Sequence, residues 1–136
     1  MAPDVSNLRP AYTIREDYAA GVIYVMIEGF FDVATLVRHF AEERMAVDRW
    51  RADGRPIKVL VDAVNLLPHS TEGQAVVQSS IKRIHRPGDR VALQVSSSLV
   101  KMQMRRSFAN GNMLKFFLSN DAALMWLHAM PVTTPN

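Results

Sequence analysis

The residues able to do chemistry in this sequence are few and scattered. Its four histidines, His39, His69, His85 and His128, show neither H-x-x-x-H nor H-x-x-H spacing, so the pattern gives a histidine metal site no support. There is no cysteine, which removes a thiolate nucleophile, a disulfide framework and a sulfur-based zinc site. A serine hydrolase would have to recruit Ser98 or Ser70 with His69 and Asp62, but no G-x-S-x-G elbow is present and nothing makes those side chains converge. Asp62 ends an apolar run, a common place for a functional carboxylate. A receiver-type phosphoacceptor would need further acids after the first parallel strand to hold magnesium, and there the chain reads Glu28-Gly29-Phe30-Phe31-Asp32. Gly73, Gly88 and Gly111 form no phosphate-cradling loop. The expectation is a domain that works by binding, with no catalytic centre, metal or cofactor of its own.

Hydrophobic periodicity supplies the elements that must position these residues. Ala11 to Arg15 alternates and Val22 to Ile27 is a continuous apolar run, with a polar Glu16–Gly21 loop between them. This predicts a hairpin whose second strand is buried on both faces. Asp32 is a suitable N-cap, and Phe31 and Leu36 have the spacing of a hydrophobic staple. Val33, Leu36, Val37, Phe40, Val47 and Trp50 then recur at helical spacing, with His39 expected mid-helix near the surface. Glu42, Glu43, Arg44, Asp48, Arg49 and Arg51 are expected on the wet side. Asp53-Gly54-Arg55-Pro56 stops that helix.

A third strand is predicted over Ile57 to Asp62. A second helix follows, capped by Thr71 with Gln74 reaching back and burying Val76, Val77, Ile81 and Ile84. Arg86-Pro87-Gly88-Asp89 is a turn, and Arg90 to Val95 a fourth strand. A helix over Leu99 to Phe108, a strand over Met113 to Leu118 and a last helix over Asp121 to Ala129, capped by Ser119 or Asn120, complete the order. Strands separated by such helices must run parallel. The predicted fold class is therefore α/β, a mainly parallel five-stranded sheet with one antiparallel edge strand and four helices. The expected division is an N-terminal tail over 1–11, one domain over 12–130 and a C-terminal tail over 131–136.

Composition agrees with one globular domain. The chain has 136 residues, 49% of them hydrophobic and 21% charged, enough to bury a core without a metal or crosslink. Met1 to Pro10 lacks the apolar run of a secretory signal, and no stretch approaches the length of a membrane span. With the absence of cysteine, this points to a cytoplasmic protein without stable membrane insertion. The net charge of +3 is too small to argue for nucleic acid. Lys82-Arg83-His85-Arg86, and Lys101 with Arg105 and Arg106, read as solvated helix faces. Met102, Met104, Met113, Met125 and Met130 read as core filler.

In open α/β sheets ligands gather beyond the carboxyl ends of the strands. Here those ends present Gly29 to Asp32, Asp62 through Thr71, Ser96 to Ser98, and Ser119 to Asp121. Their hydroxyls and carboxylates are also what helix capping requires, so capping competes with binding as their role.

The order of elements, with Val59-Leu60-Val61-Asp62 leading into His69-Ser70-Thr71-Glu72-Gly73, resembles the STAS fold of anti-sigma-factor antagonists, and more specifically the SpoIIAA-like family of small stand-alone STAS-type domains. Arg90-Val91-Ala92-Leu93, Met113-Leu114-Lys115-Phe116-Phe117 and Ala122-Ala123-Leu124-Met125-Trp126-Leu127 carry the resemblance through to the end of the domain. It implies a non-enzymatic protein-interaction or regulatory module. In the antagonists a serine just before a glycine at a helix start is phosphorylated; this chain has Glu72 before Gly73, so the resemblance does not extend to a phospho-switch. Similar folds that carry lipids imply the alternative of a carrier for a small lipophilic or anionic ligand. The expected binding residues are Asp62, His69, Ser70, Thr71, Glu72, Gly73, Phe30, Phe31, Ser97 and Ser98. The expected partner is an unidentified protein, a second copy of the chain forming a homodimer, or such a ligand.

Overall fold

The computed structural model describes residues 9–98 and 113–129. Strands β1 (Ala11–Asp17) and β2 (Val22–Glu28) pair antiparallel, with Ala11 opposite Glu28 and Asp17 opposite Val22. Helix α1 (Val33–Ala52) follows, then β3 (Lys58–Asp62), α2 (Thr71–Ile84), β4 (Arg90–Gln94), β5 (Leu114–Phe117) and α3 (Asn120–His128). The strands lie in the order β1-β2-β3-β4-β5, parallel from β2 onward. The expected mixed sheet with an antiparallel edge is therefore present. Three helices occur among the described residues; the one expected over Leu99 to Phe108 lies outside them. No helix among the described residues is long and apolar enough to cross a membrane.

Side chains alternate across a strand, so each strand feeds two cores. Ile23 and Val25, Val59 and Val61, Val91 and Leu93, and Leu114 and Phe116 face α1 and α2, meeting Leu36, Val47, Trp50, Val77, Ile81 and Ile84. Val22, Leu60 and Ala92 face the other way, onto Ala123 and Leu127 of α3. This three-layer arrangement explains why β3 and β4 are nearly continuous apolar runs: they are covered on both faces. β2 is covered less completely than expected, because Tyr24 and Met26 to Glu28 stay half-buried.

The helix starts follow local chemistry. Asp32 accepts a hydrogen bond from the Thr35 amide at 2.8 Å and Ser119 one from Ala122 at 3.1 Å. The α2 cap is Ser70, whose Oγ accepts from the Gly73 amide at 3.0 Å; Thr71 is the first helical residue, a one-position correction to the predicted capping box. Several burial expectations on α1 and α2 are also corrected. Val33 and Val37 are exposed, whereas His39, Glu43 and His85 are buried. The buried stripe of α1 runs Leu36, His39, Glu43, Ala46 and Trp50. Met125, read as core filler, is three-quarters exposed at 75%.

Gly29 ties the first crossover to the second. Its amide donates to Asn65 O at 3.0 Å and its carbonyl accepts from the Leu67 amide at 3.0 Å, extending the β2–β3 pairing beyond both strands. It holds φ of +82°, and a Cβ there would lie 2.1 Å from the Arg9 carbonyl oxygen, so only glycine fits.

Candidate functional site

Between α1, α2 and the sheet lies a cavity of about 280 Å³. Its floor is made by Val61, Val91, Leu93 and Leu114 of the strands, and its walls by Leu36 and Phe40 of α1 and Val77 and Ile81 of α2. Phe31, Leu66 and Leu67, the segments joined through Gly29, close the end beyond the strands. Pro68, Gln74 and Gln78 also line it and are exposed, which marks the open side along α2. Gly73 lets the start of α2 approach α1: a Cβ at that position would come within 3.2 Å of Leu36 Cδ1 and of Ser70 Oγ. Apolar walls with a few convergent polar groups are the usual composition of a small-molecule site, here close to the lower end of the usual size range of roughly 300–1,000 Å³.

Among the described residues, four titratable side chains reach this apolar space: His39, Glu43, His69 and His85. His39 and Glu43 stand one helical turn apart, with Nε2 and Oε2 at 3.6 Å, longer than a hydrogen bond. Burial drives the His39 imidazole down to about 4 and pushes the Glu43 carboxyl up, so desolvation favours the uncharged form of both over an ion pair. Burial likewise lowers His69. The Nδ1 atoms of His39 and His69 are buried without a hydrogen-bond partner among the described residues. Both rings stand edge-on to Phe31, with centroids 6.2 and 6.5 Å from it.

His85 is held differently. Its Nδ1 lies 3.1 Å from Asp89 Oδ2, and Asp89 in turn accepts from both Nη atoms of Arg51 and from the Arg86 amide. Burial alone would raise the Asp89 carboxyl, but the hydrogen bonds from His85, Arg51 and Arg86 outweigh it and hold the group at about 2. Among the described residues that line it none is Ser, Thr, Lys or Arg. Among the described residues no group of three His, Asp or Glu side chains is placed to hold a metal ion. What the arrangement offers is apolar surface with a few buried hydrogen-bonding groups.

No protein-family model matches the sequence, and no curated protein matches it closely enough to count as a relative. Solved structures do match. One is an uncharacterised protein of the DUF3478 family with a SpoIIAA-like fold from Shewanella loihica PV-4, at TM-score 0.65 and 17% identity, covering 87% of this chain and 93% of that one. The chain has a SpoIIAA-like fold. A second similar structure is an anti-sigma factor antagonist from Mycobacterium paratuberculosis, at TM-score 0.56 and 14% identity, covering 94% of this chain and 98% of that one.

On this SpoIIAA-like fold the expected binding residues separate into two groups. Phe31 and His69 line the cavity, with Gly73 and Ser70 packed beside His69. Thr71 and Glu72 are exposed on the first turn of α2, above the open side. The others lie elsewhere. Asp62 shares the face of Leu60, opposite the cavity, and its Oδ1 accepts from the Val64 amide at 3.1 Å, which shapes the loop. Phe30 is exposed, and Ser97 and Ser98 are exposed beyond the end of β4. Sequence reasoning missed His39, Glu43 and His85. Their signal was available: positions 36, 39, 43, 46 and 50, and 77, 81, 84 and 85, each trace one helical face, so those side chains fall on the apolar stripe.

Proposed function

We propose that this chain is a STAS-type regulatory module that works by binding, and that a small lipophilic molecule occupies the cavity between α1, α2 and the sheet. The observation that carries this reading is the cavity itself: an apolar space of about 280 Å³ in the middle of the larger core, open along one helix and lined by buried imidazoles. Protein interiors ordinarily fill such space, because each unfilled region forfeits packing contacts. Maintaining it has a stability cost that ligand binding offsets.

Native mass spectrometry of the intact protein tests this. A bound small molecule that organic extraction removes is the expected result, and protein that stays free of adducts from several expression hosts would contradict it.

Likeness to an anti-sigma factor antagonist favours a second reading, a protein partner at the start of α2. Thr71 and Glu72 are the accessible side chains there, while Ser70 is committed as the cap. In this reading Glu72, one residue before Gly73, supplies a permanent negative charge where the antagonists carry a phosphorylatable serine. Replacing Thr71 and Glu72 with arginine should abolish partner capture with little change in melting temperature. Phosphate incorporated at Ser70 or Thr71 by a cognate kinase would count against the fixed-charge role.

A further inference from the structure

On the reading that the cavity takes a ligand, Glu43 specifies the chemistry of that ligand. We propose that the occupant is a lipophilic amine, its ammonium group paired with the Glu43 carboxylate and its apolar body filling the space between α1, α2 and the sheet. Glu43 stands in the middle of the buried stripe of α1, between His39 and Ala46, where packing alone would place an apolar side chain. It lines the cavity and keeps 5% of its side-chain surface accessible. No hydrogen-bond donor among the described residues reaches its carboxyl; His39 Nε2 stops at 3.6 Å. The unpartnered Nδ1 atoms of His39 and His69 are sealed from contact, whereas the Glu43 oxygens are not, so it is the carboxyl that a ligand can meet.

A carboxyl without a donor in apolar surroundings destabilises the empty protein, and a ligand that brings a donor of opposite charge relieves that cost. Burial raises the Glu43 carboxyl, which favours its protonated form while the cavity is empty. An arriving ammonium takes the place of that proton, which leaves to water, so the occupied site holds one charge of each sign and stays neutral. The protein's own cations are engaged elsewhere or disfavoured. None of the described lining residues is Lys or Arg, and the nearby guanidinium of Arg51 is bonded to Asp89 and to the Ile84 carbonyl. The His85 ring, at the end of α2, is turned to Asp89 through Nδ1 at 3.1 Å, and burial disfavours the imidazolium form of His39. A carboxylate ligand would be desolvated beside Glu43 without a counter-charge. Size sets the scale: a dry cavity of roughly 150 Å³ takes up benzene, so one of about 280 Å³ suits a two-ring compound.

Titrating the full chain with 2-naphthol, 2-naphthylmethylamine and 2-naphthoate at neutral pH, followed by fluorescence, tests the proposal. The expected result is the amine at least about tenfold tighter than 2-naphthol, and the carboxylate at least about tenfold weaker than 2-naphthol. Glu43→Gln keeps the shape of the side chain and removes the charge, so there the amine should lose its lead over 2-naphthol altogether. Carbon-13 spectra of the unmodified protein give a readout independent of that variant: the amine, and not 2-naphthol, should move the Glu43 carboxyl resonance to its ionised position. An amine no tighter than 2-naphthol, a lead that survives in Glu43→Gln, or an unmoved Glu43 resonance would overturn the pairing while leaving a ligand cavity in place. Failure of all three probes to bind would overturn the cavity reading as well.

Discussion

Among individual residues, His39 and Glu43 couple the stability of this domain to pH. The His39 imidazole is lowered to about 4 by burial, so the folded form resists a proton that the unfolded chain accepts near 6.5. Stability should therefore be complete above that ordinary value and decline as pH falls toward about 4. Glu43 behaves oppositely. Burial raises its carboxyl, the folded form holds the proton more tightly, and stability falls as pH rises through the raised value. Glu43→Gln removes a buried acid while keeping its shape, so its melting temperature should exceed that of the parent, by more at pH 8 than at pH 5. An equal gain at both pH values would refute the assignment. Little of this was legible in the sequence. A histidine and a glutamate one turn apart on a charged helix resemble ordinary surface residues, and only their phase relative to Leu36, Ala46 and Trp50 places them inside.

At the scale of elements, the segment between β2 and α1 and the loop between β3 and α2 act as one unit, because Gly29 bonds to both Asn65 and Leu67. This unit carries Phe31, Leu66 and His69 to the cavity. Gly29→Ala would force a side chain into a left-handed backbone and against the Arg9 carbonyl, at a cost of at least about 1–3 kcal/mol. The expected readout is a lower urea midpoint with an unchanged slope. Ser70→Ala should cost about 1 kcal/mol through loss of the α2 cap, whereas Thr71→Ala should cost much less. The same measurement separates the observed cap from the one predicted by spacing. Element order, strand direction and most boundaries were readable, because continuous apolar runs, turn residues and helical stripes each carry a distinct period. The cap slipped by one position because Ser70 and Thr71 are chemically equivalent in the pattern. The cavity had no signature, since it is defined by how α1 and α2 sit against one another and not by any single segment.

Across the whole molecule, α1, α2 and the start of β4 are fastened by Arg51, His85 and Asp89 beside the cavity. The Asp89 carboxyl is held at about 2, below its ordinary value near 3.9, so its contribution is present above that value and lost as pH falls toward about 2. Acid unfolding should consequently show a late phase in this window that Asp89→Asn abolishes. Melting curves recorded between pH 2 and 5 would check it. The fold itself, a five-stranded sheet in simple sequential order with a helical layer on each face, was the part most accessible from sequence. On the reading proposed above, its function depends on the space left between α1, α2 and the sheet. Titration of 2-naphthol into the parent protein and into a Leu66→Phe, Val77→Phe double variant, which fills that space, measures this most directly. Saturable single-site binding that disappears in the filled variant, with its cooperative melt retained, is the predicted result; equal affinity in the two proteins, or no binding to the parent, would contradict it.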